Sequence, residues 1–364
     1  MAASAARRLA RPLAATLTRH WAPGTRLFFV GEGAGWSIDH DLSELAAIAG
    51  RLGVRVADRR LLGASRDQAA FFGSQFSLLR EPWRGSPHRL ATAYFHGRPG
   101  TPGYPEFDEC FRVLCERHRE LARVQVSHAE MHELVLSSGI DPAKVFRIPI
   151  GVDLRYFAPQ TPGRRAAARA SLGLPGNAFV VGSFHKDGVG WGAGTEPKHV
   201  KGPDVLVETL RRVHASVPGL HVLLSGPARG WVRSELERSG VPYVHRLLER
   251  YEAIGSLYDA LDAYLVPSRQ EGGPKGVLEA MASGVPLVTT RVGQATDIVR
   301  DGENGRIVDV DDVEGLAAAL LEVARGTPEP GRMVAAGFDT ARAHSYDAQL
   351  PLWRTFFDGF VRAA

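Results

Sequence analysis

Twelve short apolar runs alternate with helix-period stretches along this chain, and few folds accommodate that pattern. Runs of four to six residues are strand length and too short for buried helices. In the first half they fall at 26–30, 54–57, 69–72, 90–95, 124–127 and 145–150. In the second half they fall at 179–184, 221–226, 242–245, 263–267, 286–290 and 305–310. Amphipathic stretches lie between them, such as 42–52, 203–215 and 313–324. Strands that alternate with helices pair in parallel and are covered by helices on both faces. Two sets of six predict an α/β chain of two doubly wound, Rossmann-like domains that bind ligand at the carboxyl ends of their strands. The expected division is a basic extension over 1–26, a first domain over 27–157 joined by 347–364, and a second over 158–346. The Pro-rich stretch 157–165 is the expected linker.

Charge and composition narrow the function. The net charge of +4 sits in the first 26 residues, where Arg7, Arg8, Arg11, Arg19 and Arg26 meet no acid, so the rest carries −1. A nearly neutral body argues against a nucleic-acid partner. Leu9, Leu13 and Leu17 stand four apart in the basic leader. That spacing suits either a packed helical extension or peripheral contact with an anionic membrane. The leader lacks the apolar core of a secretory signal, and no run reaches the ~18 residues of a spanning helix. Cys110 and Cys115 have neither metal-knuckle nor redox spacing, so a cytoplasmic protein with reduced thiols is expected. Lysine is rare: five residues against 39 arginines, with Lys186, Lys198, Lys201 and Lys275 clustered. In an arginine-surfaced chain such a cluster points to a point-charge task such as holding phosphate.

The stretch Pro267 to Pro286 carries the chemistry. Glu271 and Glu279 lie eight residues apart across Gly272, Gly273 and the start of a helix. Pro274 is placed as the first helical residue, and Gly284 with Pro286 ends the helix. A strand then delivers one carboxylate into a loop, and a helix N-terminus offers amides beside it. Helix N-termini attract phosphate, and carboxylates accept from hydroxyls. A ligand with phosphate in the middle and sugar at both ends fits that arrangement. Two further helix starts are marked by capping-box spacing, Ser127 with Glu130 and Asp311 with Glu314.

The segment PSRQEGGPKGVLEAMASGVPLVTT resembles the nucleotide-sugar motif of glycosyltransferase family 4, retaining enzymes of the GT-B fold. The resemblance extends over 122–325, through the Pro149–Asp153 turn, KGPDVLVETL (201–210), VLLSGPARGWVRSELERSGVPYVH (222–245) and ENGRIVDVDDVEGLAAAL (303–320). It implies two domains facing across a cleft, with the terminal helix in 353–364 crossing back to the first. It also implies a hexosyltransferase that moves sugar from a nucleotide-diphosphate donor to a glycan, lipid-linked or small-molecule acceptor, without a cofactor or metal. By the same resemblance Glu271 accepts from donor-sugar hydroxyls, and Gly272, Gly273 and the helix start at Pro274 and Lys275 present amides to sugar and diphosphate. Glu279 holds ribose hydroxyls, Lys201 pairs with diphosphate, and the base lies near Tyr243, His245 and Leu247. The family arginine that supplies a second phosphate contact is replaced by Ser183, which leaves Lys186 or Lys198 for that task. The glycine-rich insert 187–195 is either a lid or a surface loop.

The first domain is the expected acceptor side. Its loop 31–41 opens at the end of the first strand, with Gly33 and Gly35 allowing close backbone approach to donor phosphate or acceptor. Trp36, Asp39 and His40 are acceptor candidates. By the resemblance, His96 at a strand end sits beside the reacting sugar. Charge on the leaving diphosphate is then met by Lys201, a second lysine and the helix N-terminus. His96, Lys201 and Glu271 are the expected catalytic groups. Asp39-His40-Asp41 mimics a metal-binding D-x-D, but Asp41 is expected to cap the helix 42–52. His128 and His132 stand four apart, yet Glu130 is out of phase for H-E-x-x-H. Two alternatives stay open: a sugar-nucleotide epimerase or hydrolase, and a non-catalytic nucleotide-sugar-binding protein. Neither GEGAG (31–35) nor GVGWGAG (188–194) fits the dinucleotide fingerprint.

Overall fold

The computed structural model describes residues 25–31, 33, 37–80, 85–326 and 330–362. Trp36, Gly35 and nearly all of the basic leader lie outside them. The chain divides into two compact units. One runs to Pro149 and takes back Gln349–Ala364, and the other is Ile150–Ala348. Among the described residues no helix is long and apolar enough to cross a membrane.

In the first unit β1 (Leu27–Val30), β2 (Val56–Ala57), β3 (Ala69–Phe72), β4 (Arg89–Ala93), β5 (Leu121–Val126) and β6 (Val145–Arg147) form one sheet in the order β2-β1-β3-β4-β5-β6. Every pairing is parallel. Strand β3 is buried and apolar on both faces, as parallel strands covered by helices are. Helices α1 (Ser37–Arg51), α2 (Pro105–Arg117) and α3 (Ala129–Ser137) connect them.

The second unit holds β7 (Phe179–Ser183), β8 (Leu220–Ser225), β9 (Tyr243–Arg246), β10 (Ala263–Val266), β11 (Leu287–Thr290) and β12 (Arg306–Val308). Their order is β12-β11-β10-β7-β8-β9, again all parallel. This is the 3-2-1-4-5-6 arrangement of nucleotide-binding sheets, so ligand is expected where the winding reverses, at the ends of β7 and β10. Helices α4 (Pro162–Leu172), α5 (Pro203–Ser216), α6 (Gly230–Arg238), α7 (Lys275–Ala282), α8 (Val313–Ala324) and α9 (Pro330–Ala343) flank the sheet. Two apolar clusters fill its faces, one around Tyr258, Tyr264 and Met281, the other around Leu206, Leu224 and Leu320.

The final helix α10 (Leu350–Phe357) returns to the first unit. Its Trp353 and Phe356 pack edge-on against Phe71 at 6.1 and 5.7 Å, and Arg89 Nε donates to the Phe360 carbonyl at 2.7 Å. The division at Pro149/Ile150 lies upstream of the Pro-rich stretch for a physical reason. Val152 bridges Ser345, Tyr346 packs on Gly151, and Phe157 meets the Tyr258 ring, so 150–157 is fixed to the second core.

Four local expectations need correction. The helix expected at 42–52 starts at Ser37, so Asp41 lies inside it rather than at its N-cap. His128, extended at φ −153, is the N-cap of α3, and Ser127 instead bonds the His128 ring at 3.0 Å; no capping box forms. Asp312, not Asp311, caps α8 by accepting from Gly315 N–H at 2.8 Å, because Asp311 is turned away at φ +66. Pro274 is the N-cap rather than the first residue of α7, with ψ at 102.

Candidate active site

The loop after β10 is built around Glu271. Lys201 Nζ donates to its Oε2 at 2.6 Å, and Ser268 Oγ donates to Oε1 at 2.8 Å. Burial works to raise this carboxyl's pKa, but the charge of Lys201, helped by His185 and the two hydrogen bonds, holds it below the ordinary 4.5. Lys201 reaches Glu271 because the turn that carries it lies against the end of β10. Gly202 has φ +62, and a Cβ there would stand 2.0 Å from the Pro267 carbonyl. Only glycine permits that approach. Arg269 staples the two loops with a two-pronged contact to Asp204 at 2.8 and 2.7 Å, a bond to the His199 carbonyl and one to Asp311. Sequence reasoning passed over Arg269. Its signal was its place inside the glutamate motif, two residues before Glu271.

The second carboxylate is held differently. Glu279 is buried on α7, and its two oxygens accept from the hydroxyls of Tyr251 and Tyr258, the latter at 2.8 Å. An aromatic layer joins the two sites. Tyr258 meets Tyr264 at 5.2 Å, and Tyr264 meets the His185 ring at 6.2 Å. His185 feels Glu271, Lys201 and Arg229. Both its ring nitrogens are out of solvent and unpartnered, and burial pushes its pKa down to about 3. The ring is neutral throughout the physiological range.

An arginine from the loop after β8 lies against Ser183. Arg229, ahead of α6, lies fully buried. It donates from Nη1 to the Ser183 carbonyl at 2.6 Å and from Nη2 to the Ser183 hydroxyl at 3.4 Å. It also donates to the Ser225 carbonyl and pairs with buried Asp187 at 2.9 Å. Its guanidinium therefore holds the base of the 187–198 segment together. Lys186 is half-buried, with burial first and Lys201 second lowering its pKa. Lys198 lies at the far stem of the same segment, its N–H on the Asp187 carbonyl.

The remaining candidates fall at neighbouring strand ends. His245 bonds the Gly226 carbonyl at 2.9 Å, and Leu247 is exposed just past β9. The Gly272 carbonyl accepts from Gln294 N–H at 2.9 Å, and Gln294 also grips Ile150 at both its N–H and carbonyl. Gly273 packs on Gln294 and Ile150, and Lys275 lies over the Tyr251 ring at 4.8 Å. In the first unit, Asp39 stands in the first turn of α1 and accepts from Gly33 N–H at 3.2 Å. His40 follows it, and His96 packs between Phe76 and Phe107 at 5.7 and 5.9 Å. Asp39 and Asp41 are two apart on a helix, so their carboxylates diverge. His128 precedes α3, so it does not share a helix face with His132. Among the described residues no three His, Cys, Asp or Glu side chains are grouped to hold a metal.

Comparison with known proteins agrees with this architecture. Residues 189–325 match the family model described as Glycosyl transferases group 1. The chain is similar to D-inositol 3-phosphate glycosyltransferase of Actinosynnema mirum, 33% identical over 249 residues, covering 65% of this chain and 56% of that protein. The Saccharomonospora viridis protein of the same name is 32% identical over 263 residues, covering 69% and 56%. The chain thus spans about half the length of the curated relatives it matches. Among solved structures, Anabaena Alr3699/HepE in complex with UDP and glucose superposes with TM-score 0.73 at 16% identity, over 93% of this chain and 100% of that one. Sucrose-phosphate synthase from Thermosynechococcus elongatus gives 0.68 at 17%, over 92% and 100%. These likenesses show the fold. With residues 189–325 forming a group 1 glycosyl transferase domain, the chain is a glycosyltransferase family 4-like protein of the GT-B fold.

Proposed function

We propose that the protein transfers a hexose from a nucleotide-diphosphate sugar to an acceptor hydroxyl, with retention at the anomeric carbon and without a metal. One observation carries this reading: Lys201, Glu271 and Ser268 converge at the reversal point of a nucleotide-binding sheet. When the donor binds, Lys201 exchanges its carboxylate for diphosphate oxygens. Glu271, ionised, is then released to accept from sugar hydroxyls. Glu279, already set by two phenols, accepts from the ribose. As the sugar–phosphate bond breaks, negative charge grows on the leaving diphosphate, and the ammonium groups and the amides of α7 meet it. Loss of a cation from such a site costs about 100-fold in rate, or ~2.7 kcal/mol. Both Glu271 oxygens are engaged in binding, so we assign no covalent nucleophile; the acceptor hydroxyl attacks the face the diphosphate leaves and gives its proton to the departing phosphate oxygen. The solved relatives with UDP and UDP-glucose make these the first ligands to try, and the curated relatives make a phosphorylated cyclitol an acceptor arm worth testing.

The decisive experiment is a thermal-shift panel of UDP, GDP, ADP and TDP, followed by incubation with the matching donor sugar. The expected result is selective stabilisation by one nucleotide, and a glycoside of unchanged anomeric configuration by NMR that persists in excess chelator. Stabilisation by none would remove the reading. Free sugar formed equally with and without acceptor would make the protein a hydrolase, and chelator inhibition reversed by Mg²⁺ would overturn the metal-free mechanism.

A further inference from the structure

The segment after β7 is a hairpin, and its construction is specific. Gly188 bridges Pro197 in antiparallel fashion, Val189 N–H bonds the Glu196 carbonyl at 2.9 Å, and Lys198 N–H bonds the Asp187 carbonyl at 2.8 Å. Its far side is docked on the N-terminus of α6: the Gly230 and Trp231 N–H groups donate to the Ala193 and Gly194 carbonyls, both at 2.8 Å. A Cβ at Gly188 or Gly194 would stand 2.2 Å from the Ala228 carbonyl, so the backbones touch where no side chain fits. The buried Arg229–Asp187 pair closes the stem. At the tip of this fixed hairpin is Trp191, 57% exposed. Lys186 Nζ lies over its ring, 4.7 Å from the centroid, with a long contact to the Gly188 carbonyl at 3.4 Å.

Two cations at this end of the sheet are paired with carboxylates. Lys201 faces Glu271 and Arg229 faces Asp187, while His185 is neutral. Among the described residues no carboxylate lies within ion-pair distance of Lys186, and Lys201 repels it. A half-buried ammonium in the field of another cation is driven toward water unless something holds it. An indole face holds it without cancelling its charge, and more weakly than a phosphate does. A carboxylate in that place would neutralise the cation and repel a diphosphate.

Resting on the nucleotide-sugar reading above, we propose that Trp191 is a positioning residue for diphosphate binding: its ring keeps the Lys186 ammonium beside Lys201 and yields it to the diphosphate. The family position occupied by Ser183 is thereby served from three residues further along the same chain segment, by a lysine on an aromatic rest. The chain has six tryptophans, so the signal of Trp191 is read as the difference between wild type and Trp191→Phe. UDP is expected to change that difference in tryptophan fluorescence, and uridine, which lacks phosphate, is not. Lys186→Met is expected to abolish the change and to weaken UDP in calorimetry by about 10-fold. Trp191→Ala is expected to weaken UDP by about 3- to 10-fold while Trp191→Phe, which keeps a ring, stays within about 2-fold. A Trp191 signal that survives Lys186→Met, a uridine response equal to that of UDP, or unchanged UDP affinity in Trp191→Ala would overturn the proposal and leave the nucleotide-sugar reading standing. Failure of the wild type to bind any of the four nucleoside diphosphates would remove both.

Discussion

The carboxyl ends of the two sheets are furnished in opposite ways. In the second unit charge is set against charge with little solvent: Lys201 on Glu271, Arg229 on Asp187, and Lys186 close by. In the first unit, the His96 ring lies among Phe76 and Phe107, Asp39 accepts from a backbone amide, and the Arg98–Glu130 pair is at the surface. Burying ion pairs rarely improves a fold over apolar packing of the same shape, so a concentration of them at a strand end points to an ionic ligand. An aromatic-rimmed end whose ion pair lies at the surface suits a hydroxylated one. Under the proposed function, the difference matches a diphosphate held by the second unit and an acceptor held by the first.

The contrast is open to four tests. The largest effect is expected from Arg229→Met, which strands Asp187 out of water. Stability should fall by about 3–5 kcal/mol, seen in calorimetry as a drop of roughly 6–20 °C in Tm. The double change Arg229→Met with Asp187→Leu should recover much of it, and a failure to recover would mean the pair is more than a filler of the stem. Next, Glu271→Ala should lower transfer by about 100-fold or more with an unaltered circular dichroism spectrum; near-normal turnover would dissolve the charged site.

The third test uses pH. His185 titrates near 6.5 when unfolded and near 3 when folded, so between those values the unfolded chain binds more protons and stability falls with falling pH. Glu271, held below 4.5, loses its contribution in the same direction but only as the pH drops below that value. Asp187, raised by burial against the pull of Arg229, works with the opposite sign. From pH 6.5 to 5 the His185 contribution is about 2 kcal/mol. Urea midpoints of His185→Gln should therefore change less over that interval than those of the wild type, and equal slopes would show that the ring accepts a proton in place. The smallest effect is reserved for the first unit. His96→Ala should reduce transfer by about 10-fold and leave nucleotide affinity alone. A fall in UDP affinity with His96→Ala would break the division of labour between the two sheets.

Residue types alone determined a good deal. All twelve strands lie where apolar runs meet turn residues, because strand length and period are written locally in runs such as AYLV and LVTT. That Lys201 and Glu271 belong to one site was legible because the glutamate motif is compact and lysine is rare in this chain, and the two side chains do meet. Helix starts were read less well: the capping groups slipped by one residue at Asp312, and at Ser127 the hydroxyl went to a neighbouring ring. Such choices depend on backbone dihedrals that neighbours impose. The tertiary structure alone decided what sits at Ser183. Arg229 comes from the next strand's loop, 46 residues away, and is spent on carbonyls and Asp187 rather than on ligand. It also decided that Glu279 rests on Tyr251 and Tyr258, and that the ring of Trp191 at the hairpin tip meets Lys186 at its base. Local spacing fixes which elements form, but the pairing of buried charges is settled only when separate strands bring them within hydrogen-bond reach and water is gone.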